Sequence, residues 1–190
     1  MAIRLYRVFS YLVNAAPQAP GGALFIPPQG FGRLDNPQHY DVLYCSEQPE
    51  AAVAESLGPY PAFVWSPEVL KGHPALTGSM RAMATYELPS LATVCDLDDP
   101  RQLIAQRLRP SLVITRDHET TQTWALRIFR DARVPRWSGA RWWSFYEARW
   151  SSIGLWRLQG LRLLDVTALS LHGPAVITAA HIIGRQLNPG

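Results

Sequence analysis

The stretch from Gly30 to Gly58 concentrates residue types that do chemistry. It opens on a glycine-flanked basic turn, Gly30-Phe31-Gly32-Arg33, and passes through Asp35, Asn36 and Pro37 into the short alternating segment Asp41-Val42-Leu43-Tyr44-Cys45. It closes on a small-residue helix, Pro49 to Leu57, which carries Glu55. An arginine offers a rigid planar fork to an oxyanion, and a carboxylate steadies a developing positive charge. The turn, the strand and the helix start predict that Arg33, Tyr44 and Glu55 come within reach of one another. A late serine, Ser144, ends the tryptophan-rich run Gly139-Ala140-Arg141-Trp142-Trp143-Ser144. Taken singly, each has a plain structural use: a helix glutamate in solvent, a strand tyrosine in the core, an arginine closing a loop, a strand-surface hydroxyl.

The elements that must position these residues follow from period and punctuation. Leu5–Phe9 predicts a first strand with Arg4 and Arg7 nearby, and 14–29, rich in proline and glycine, predicts a loop in which Leu24-Phe25-Ile26 is pinned. Val42–Cys45 reads as a buried strand, Ser46 as the cap of the next helix, Pro49 as its first turn and Gly58-Pro59 as its stop. Residues 59–67, with Trp65, read as a linker and 70–78 as irregular. Ala82–Leu88 reads as a strand with Ala82, Ala84, Tyr86 and Leu88 on one face, and Leu91–Leu97 as another. Asp98-Asp99-Pro100 opens a helix through Leu103, Ile104, Arg107 and Leu108. Residues 110–115 read as loop or short strand. Thr120–Ala132 is the clearest helix, striped by Trp124, Ala125, Ile128, Phe129 and Ala132. Ser152–Leu158 and Leu161–Val166, joined at Gly160, read as the last two strands. Pro174–Leu187 reads as a closing helix with Ala175, Ile177, Thr178, Ile182 and Leu187 inward. No repeat or long linker divides the 190 residues, so the pattern predicts one α+β domain over 1–190, with the site region at 30–58.

Composition narrows the function classes. Apolar residues make up 47% and seven tryptophans accompany seven tyrosines, which predicts a large-ringed core. A net charge of +3 accommodates an anionic ligand but does not point to nucleic acid. Arg127, Arg130, Arg133, Arg136 and Arg141 suggest a basic face, either solvated, turned to an acidic partner, or a weak nucleic-acid footprint. No Gly-x-Gly-x-x-Gly, phosphate-loop lysine, His-Glu-x-x-His or Gly-x-Ser-x-Gly motif occurs, and the histidines lack metal-ligand spacing. Cys45 and Cys95 read as buried free thiols, which fits a reducing, cytoplasmic setting. Neither a signal peptide nor an apolar run of membrane-spanning length is expected.

Five segments, in order, resemble the RES domain family, named for its arginine, glutamate and serine. The family's glycine–arginine turn is similar to Gly32-Arg33, its strand tyrosine to Tyr44, and its helix glutamate to Glu55 in Ala51-Ala52-Val53-Ala54-Glu55. Its threonine-rich helix resembles Thr120-Thr121-Gln122-Thr123-Trp124-Ala125, and its glycine-to-serine strand resembles Gly139 to Ser144. The commoner pattern has tryptophan and asparagine after the arginine, where this chain has Leu34 and Asp35.

The resemblance implies a toxin that consumes NAD as substrate, with no metal, on a split, bent sheet like that of diphtheria-toxin-like ADP-ribosyltransferases. It implies an Xre-type helix-turn-helix antitoxin as partner and leaves homo-oligomerisation open. On that reading Glu55, Arg33 and Ser144 are catalytic, and Arg33, Tyr44 and Ser144 bind the dinucleotide. Glu55 holds the ribose hydroxyls and faces the oxocarbenium-like cation. Arg33 forks to the pyrophosphate. Tyr44 stacks on nicotinamide or orders the ribose, and Ser144 bonds the nicotinamide side or orients Arg33. Water, phosphate or a protein remain alternative acceptors, and a binding module on the same scaffold is the non-enzymatic alternative.

Overall fold

The computed structural model describes residues 2–91, 93–132 and 137–190. Arg133 and Arg136 of the expected basic face lie outside the described residues. Strand β1 (Ile3–Tyr11) crosses the middle of the molecule. β2 (Leu43–Ser46) leads through a short turn into α1 (Pro49–Leu57). β3 (Val64–Trp65) and a 3-10 turn (Pro67–Leu70) precede the long β4 (Met80–Leu88). Then come β5 (Val94–Asp96), α2 (Pro100–Ala105), α3 (Pro110–Val113) and α4 (His118–Phe129). β6 (Gly139–Trp143), β7 (Ser151–Leu155), β8 (Arg162–Ala168), α5 (Pro174–Ile182) and β9 (Gln186–Leu187) complete the order.

Seven strands form one mixed sheet in the order β5-β6-β7-β2-β1-β4-β8, with only β5 and β6 parallel. β1 pairs with β4 along its whole length, from Ile3↔Leu88 to Tyr11↔Met80. On its other side β1 meets β2 at one pair, Tyr6↔Ser46. The two groups of strands, β5-β6-β7-β2 and β1-β4-β8, are thus nearly parted, joined within one sheet by a single rung. Three clusters of buried side chains fill the molecule. Leu34, Val42, Trp124, Ile128 and Trp142 pack between the β5–β6 end and α4. Leu5, Phe9, Tyr86 and Leu155 line the sheet itself. Val53, Leu57, Trp65 and Val176 join α1 to α5.

Local chemistry explains most of these elements. α1 begins and ends where Pro49 and Leu57 place it, with Pro49 in the first turn, where no amide donor is needed. Asp99 caps α2 by accepting from Arg101 N, and Asp117 caps α4 by accepting from Glu119 N and Thr120 N. β4 alternates as read, burying Ala82, Ala84, Tyr86 and Leu88. The loop after β1 is held by Arg7, whose Nη1 donates to Ala23 O and Nη2 to Phe25 O.

Several expectations are corrected. Ser46 does not cap α1: it is the buried last residue of β2, and Gln48 takes the cap position without a side-chain bond. Residues 110–113 are a helical turn, because Pro110 starts it as a first-turn proline. α5 stops at Ile182 and buries Val176, Ala179 and Ala180, leaving Ile177 48% and Ile182 37% exposed. Its sequence is apolar all round, so the period carries no phase. The chain then turns at Gly184, in the left-handed region, and Gln186–Leu187 pairs in parallel with Val64–Trp65, inside the segment read as a linker. Finally, β7 and β8 are not neighbours, for β2, β1 and β4 lie between them.

Candidate active site

The gap beside the Tyr6↔Ser46 rung opens into a cavity of about 470 Å³. Arg33, Tyr44 and Glu55 all line it, together with Tyr6, Arg7, His118, Trp142, Phe145 and Ser152. The three residues expected to meet from the 30–58 stretch do meet. Ser144 stands directly behind them: 2% exposed, it donates from Oγ to Glu55 Oε1 at 2.6 Å and accepts from Tyr146 N at 3.1 Å. Ser152 Oγ reaches the same Oε1 at 3.4 Å. Among the described residues Glu55 Oε2 has no protein partner, so one carboxylate oxygen is anchored and the other is presented. Ser144 is hydrogen-bonded to Glu55, whereas Arg33 is held elsewhere.

Arg33 donates from Nη1 to Val113 O at 2.5 Å and Thr115 O at 2.9 Å, on the segment between α3 and α4. Its Nε and Nη2 make no protein hydrogen bond among the described residues. Burial lowers the Arg33 pKa from its ordinary value, and the nearby Glu55 and Tyr44 oppose that shift. Arg7 of β1 also lines the cavity, while its guanidinium is held by Ala23 O and Phe25 O of the loop after β1. The turn that carries Arg33 is stapled in place. Asp35 Oδ2 accepts from Gly30 N at 2.9 Å and Gly32 N at 2.6 Å, and Oδ1 accepts from Tyr44 Oη at 2.6 Å. Tyr44 Oη in turn accepts from Leu34 N at 2.8 Å. Burial, reinforced by Asp35, pushes the Tyr44 phenol far up. Gln122 of α4 donates to Gly32 O at 2.9 Å, and His118 Nδ1 lies 2.5 Å from Phe31 O. Gly32 is required for room: a Cβ there would lie 2.6 Å from Asp35 Oδ1 and 2.7 Å from Tyr44 Oη. Leu34 is wholly buried over Gly154, whose Cβ would meet Leu34 Cδ1 at 2.4 Å.

The rim is aromatic and basic. Phe31 is 93% exposed, and the half-exposed Phe145 ring carries the Arg116 guanidinium 4.6 Å from its centroid. Arg141 does not join a basic face: it is largely buried and paired with Glu47 at 2.7 Å and Asp96 at 2.9 Å. Arg127 and Arg130 line a separate groove with Arg107, away from this cavity. Among the described residues no group of three or more His, Cys, Asp or Glu is placed to hold a metal, and no helix is long and apolar enough to cross a membrane.

The family model of the RES domain matches residues 4–176. The chain belongs to the RES domain family. The five segments in which the sequence resembles that family fall on the elements around this cavity. Among solved structures, a chain of the crystal structure of the M. tuberculosis MbcT–MbcA toxin–antitoxin complex is similar at a TM-score of 0.57. That match covers 96% of this chain and 90% of that one at 14% identity, a likeness of fold. No curated protein matches.

Sequence reasoning missed several residues that line this RES-domain cavity or hold its walls. Arg7 had one signal, a charged residue in a mostly apolar strand. Asp35 had another, a carboxylate three residues after a glycine, the spacing of a side chain that closes a turn on backbone amides. Ser152, Trp142 and Phe145 reach the cavity only through strand order, which no local pattern carries.

Proposed function

We propose that this RES-domain chain is an NAD-consuming enzyme of the toxin kind, which breaks the bond between nicotinamide and ribose, and that a protein antitoxin is its partner. The observation that carries the reading is the 2.6 Å bond from Ser144 to Glu55 at the wall of a cavity that Arg33 also lines. Glu55, fixed through Oε1, turns Oε2 to the ribose hydroxyls and to the positive charge that grows on the ribose as the bond breaks. The bonding pair leaves with the nicotinamide nitrogen, and an acceptor then adds to the ribose carbon. Arg33 offers its uncommitted Nη2 and Nε edge to the pyrophosphate. Tyr44 offers its ring as a wall, its hydroxyl being engaged with Asp35 and Leu34 N. The near-parted sheet supports an ADP-ribosyltransferase-like architecture. The partner reading draws on the similar chain's place in a toxin–antitoxin complex.

The test is nicotinamide release from NAD by purified protein, with water alone, with phosphate, and with cell lysate. Release with water alone identifies a glycohydrolase, stimulation by phosphate a phosphorylase, and label transferred to one lysate protein a transferase. Glu55→Gln keeps shape and removes charge, so turnover is expected to fall roughly a hundredfold, about 3 kcal/mol of transition-state stabilisation, with NAD binding retained. Folded protein that neither binds nor cleaves NAD under all three conditions would overturn the enzymatic reading.

A further inference from the structure

We propose that Asp35 is the positioning residue of the Arg33 site and that Tyr44 is its brace. The amides on either side of Arg33 are both tethered: Gly32 N by Asp35 Oδ2, and Leu34 N by Tyr44 Oη. Tyr44 Oη closes the loop by donating to Asp35 Oδ1. Asp35 is 5% exposed and also takes Gly30 N, so one buried carboxylate gathers three donors, from Gly30, Gly32 and Tyr44. Arg33 therefore leaves the backbone from a point clamped fore and aft, and its guanidinium is clamped again at Val113 O and Thr115 O. A long side chain held at both ends binds an oxyanion with little further loss of freedom. Asp35 makes no hydrogen bond to the Arg33 guanidinium, so its action on the ligand passes through the turn.

The geometry ranks replacements. Alanine removes the shared acceptor of Gly30 N, Gly32 N and the Tyr44 proton. Asparagine can accept both glycine amides on its one oxygen and donate to Tyr44 Oη, so it keeps the two backbone tethers and loses the phenol's acceptor. Asp35→Asn is therefore the rescuing variant, and Asp35→Ala the disabling one.

The functional readout rests on the NAD reading, and the structural readout does not. In nitrogen-15-labelled protein, Asp35→Ala should speed amide exchange at Gly30 and Gly32 at least about tenfold, and Asp35→Asn should restore most of the protection. By calorimetry, Asp35→Ala should weaken NAD binding about tenfold, with Asp35→Asn intermediate. In an Arg33→Gln background, Asp35→Ala should add no further loss, because its effect passes through Arg33. Should Asp35→Ala fail to fold, Tyr44→Phe, which removes the brace alone, must still shift the Arg33 Nε–H resonance and weaken binding. Folded Asp35→Ala with wild-type affinity, or a loss that adds to that of Arg33→Gln, overturns the proposal. If wild-type protein binds no NAD, the functional reading fails. The positioning role then stands on a displaced Arg33 resonance together with lost glycine protection, and falls if both are unchanged.

Discussion

Ser144 and Glu55 stand 89 positions apart in the chain and share a 2.6 Å hydrogen bond. The serine is sealed behind β6 and the glutamate is exposed on α1, so a buried post holds an accessible carboxylate. The bond also fixes α1 to the far half of the sheet, across the mouth of the cavity.

Ser144→Ala is expected to lower nicotinamide release about tenfold or more. The hydrogen bond it removes is to a carboxylate and is worth roughly 1.5–3 kcal/mol. Turnover should fall while NAD binding changes little, since the anchored oxygen is not the one presented. Steady-state kinetics beside a titration separates the two.

Arg33→Lys retains charge and loses the fork. An ammonium that reaches for the ligand abandons Val113 O and Thr115 O, so NAD binding should weaken about tenfold. The α3–α4 segment should also become easier to cleave by protease. Unchanged binding and unchanged cleavage together would contradict the geometry.

Burial pushes both cysteine thiols up to about 12. Folded-state pKa values raised above the unfolded one mean that the native state keeps the proton. The corresponding stability is intact below about pH 9 and is lost as pH climbs towards 12. Native protein at pH 8 should leave a thiol-specific chromogenic disulfide unreacted, and denaturant should expose two equivalents. Urea midpoints should fall across the alkaline window, and less steeply in Cys45→Ala.

Arg141→Met leaves Glu47 and Asp96 facing each other without their cation. The pair is only partly buried, so losing its cation costs about 1–2 kcal/mol, less than for a buried pair, which for a chain of this size lowers the melting temperature by roughly 2–8 °C. Cavity chemistry should be untouched in the folded fraction, as measured by nicotinamide release at low temperature.

Where local sequence decides local structure, the reading holds. Pro49 to Leu57 is a helix with those bounds, and β4 buries the face that its alternation marks. The meeting of Arg33, Tyr44 and Glu55 was legible because all three belong to one continuous turn, strand and helix. The Ser144–Glu55 bond was not, because it depends on β6 and β7 lying next to β2. Val64–Trp65 and Gln186–Leu187 are too short to show a period, and α5 is too uniformly apolar to reveal its buried side. Leu34 and Asp35, read only as departures from the commoner RES pattern, turn out to fill the space over Gly154 and to staple the arginine turn.

The single rung between Tyr6 and Ser46 makes the middle of the sheet a seam. Two plates riveted at one point can hinge there, and the hinge line runs along the cavity that Arg7 lines from one plate and Tyr44 from the other. A molecule lodged between them would act as a strut, tying β1 to β2 through the cavity where the ladder ties them only once.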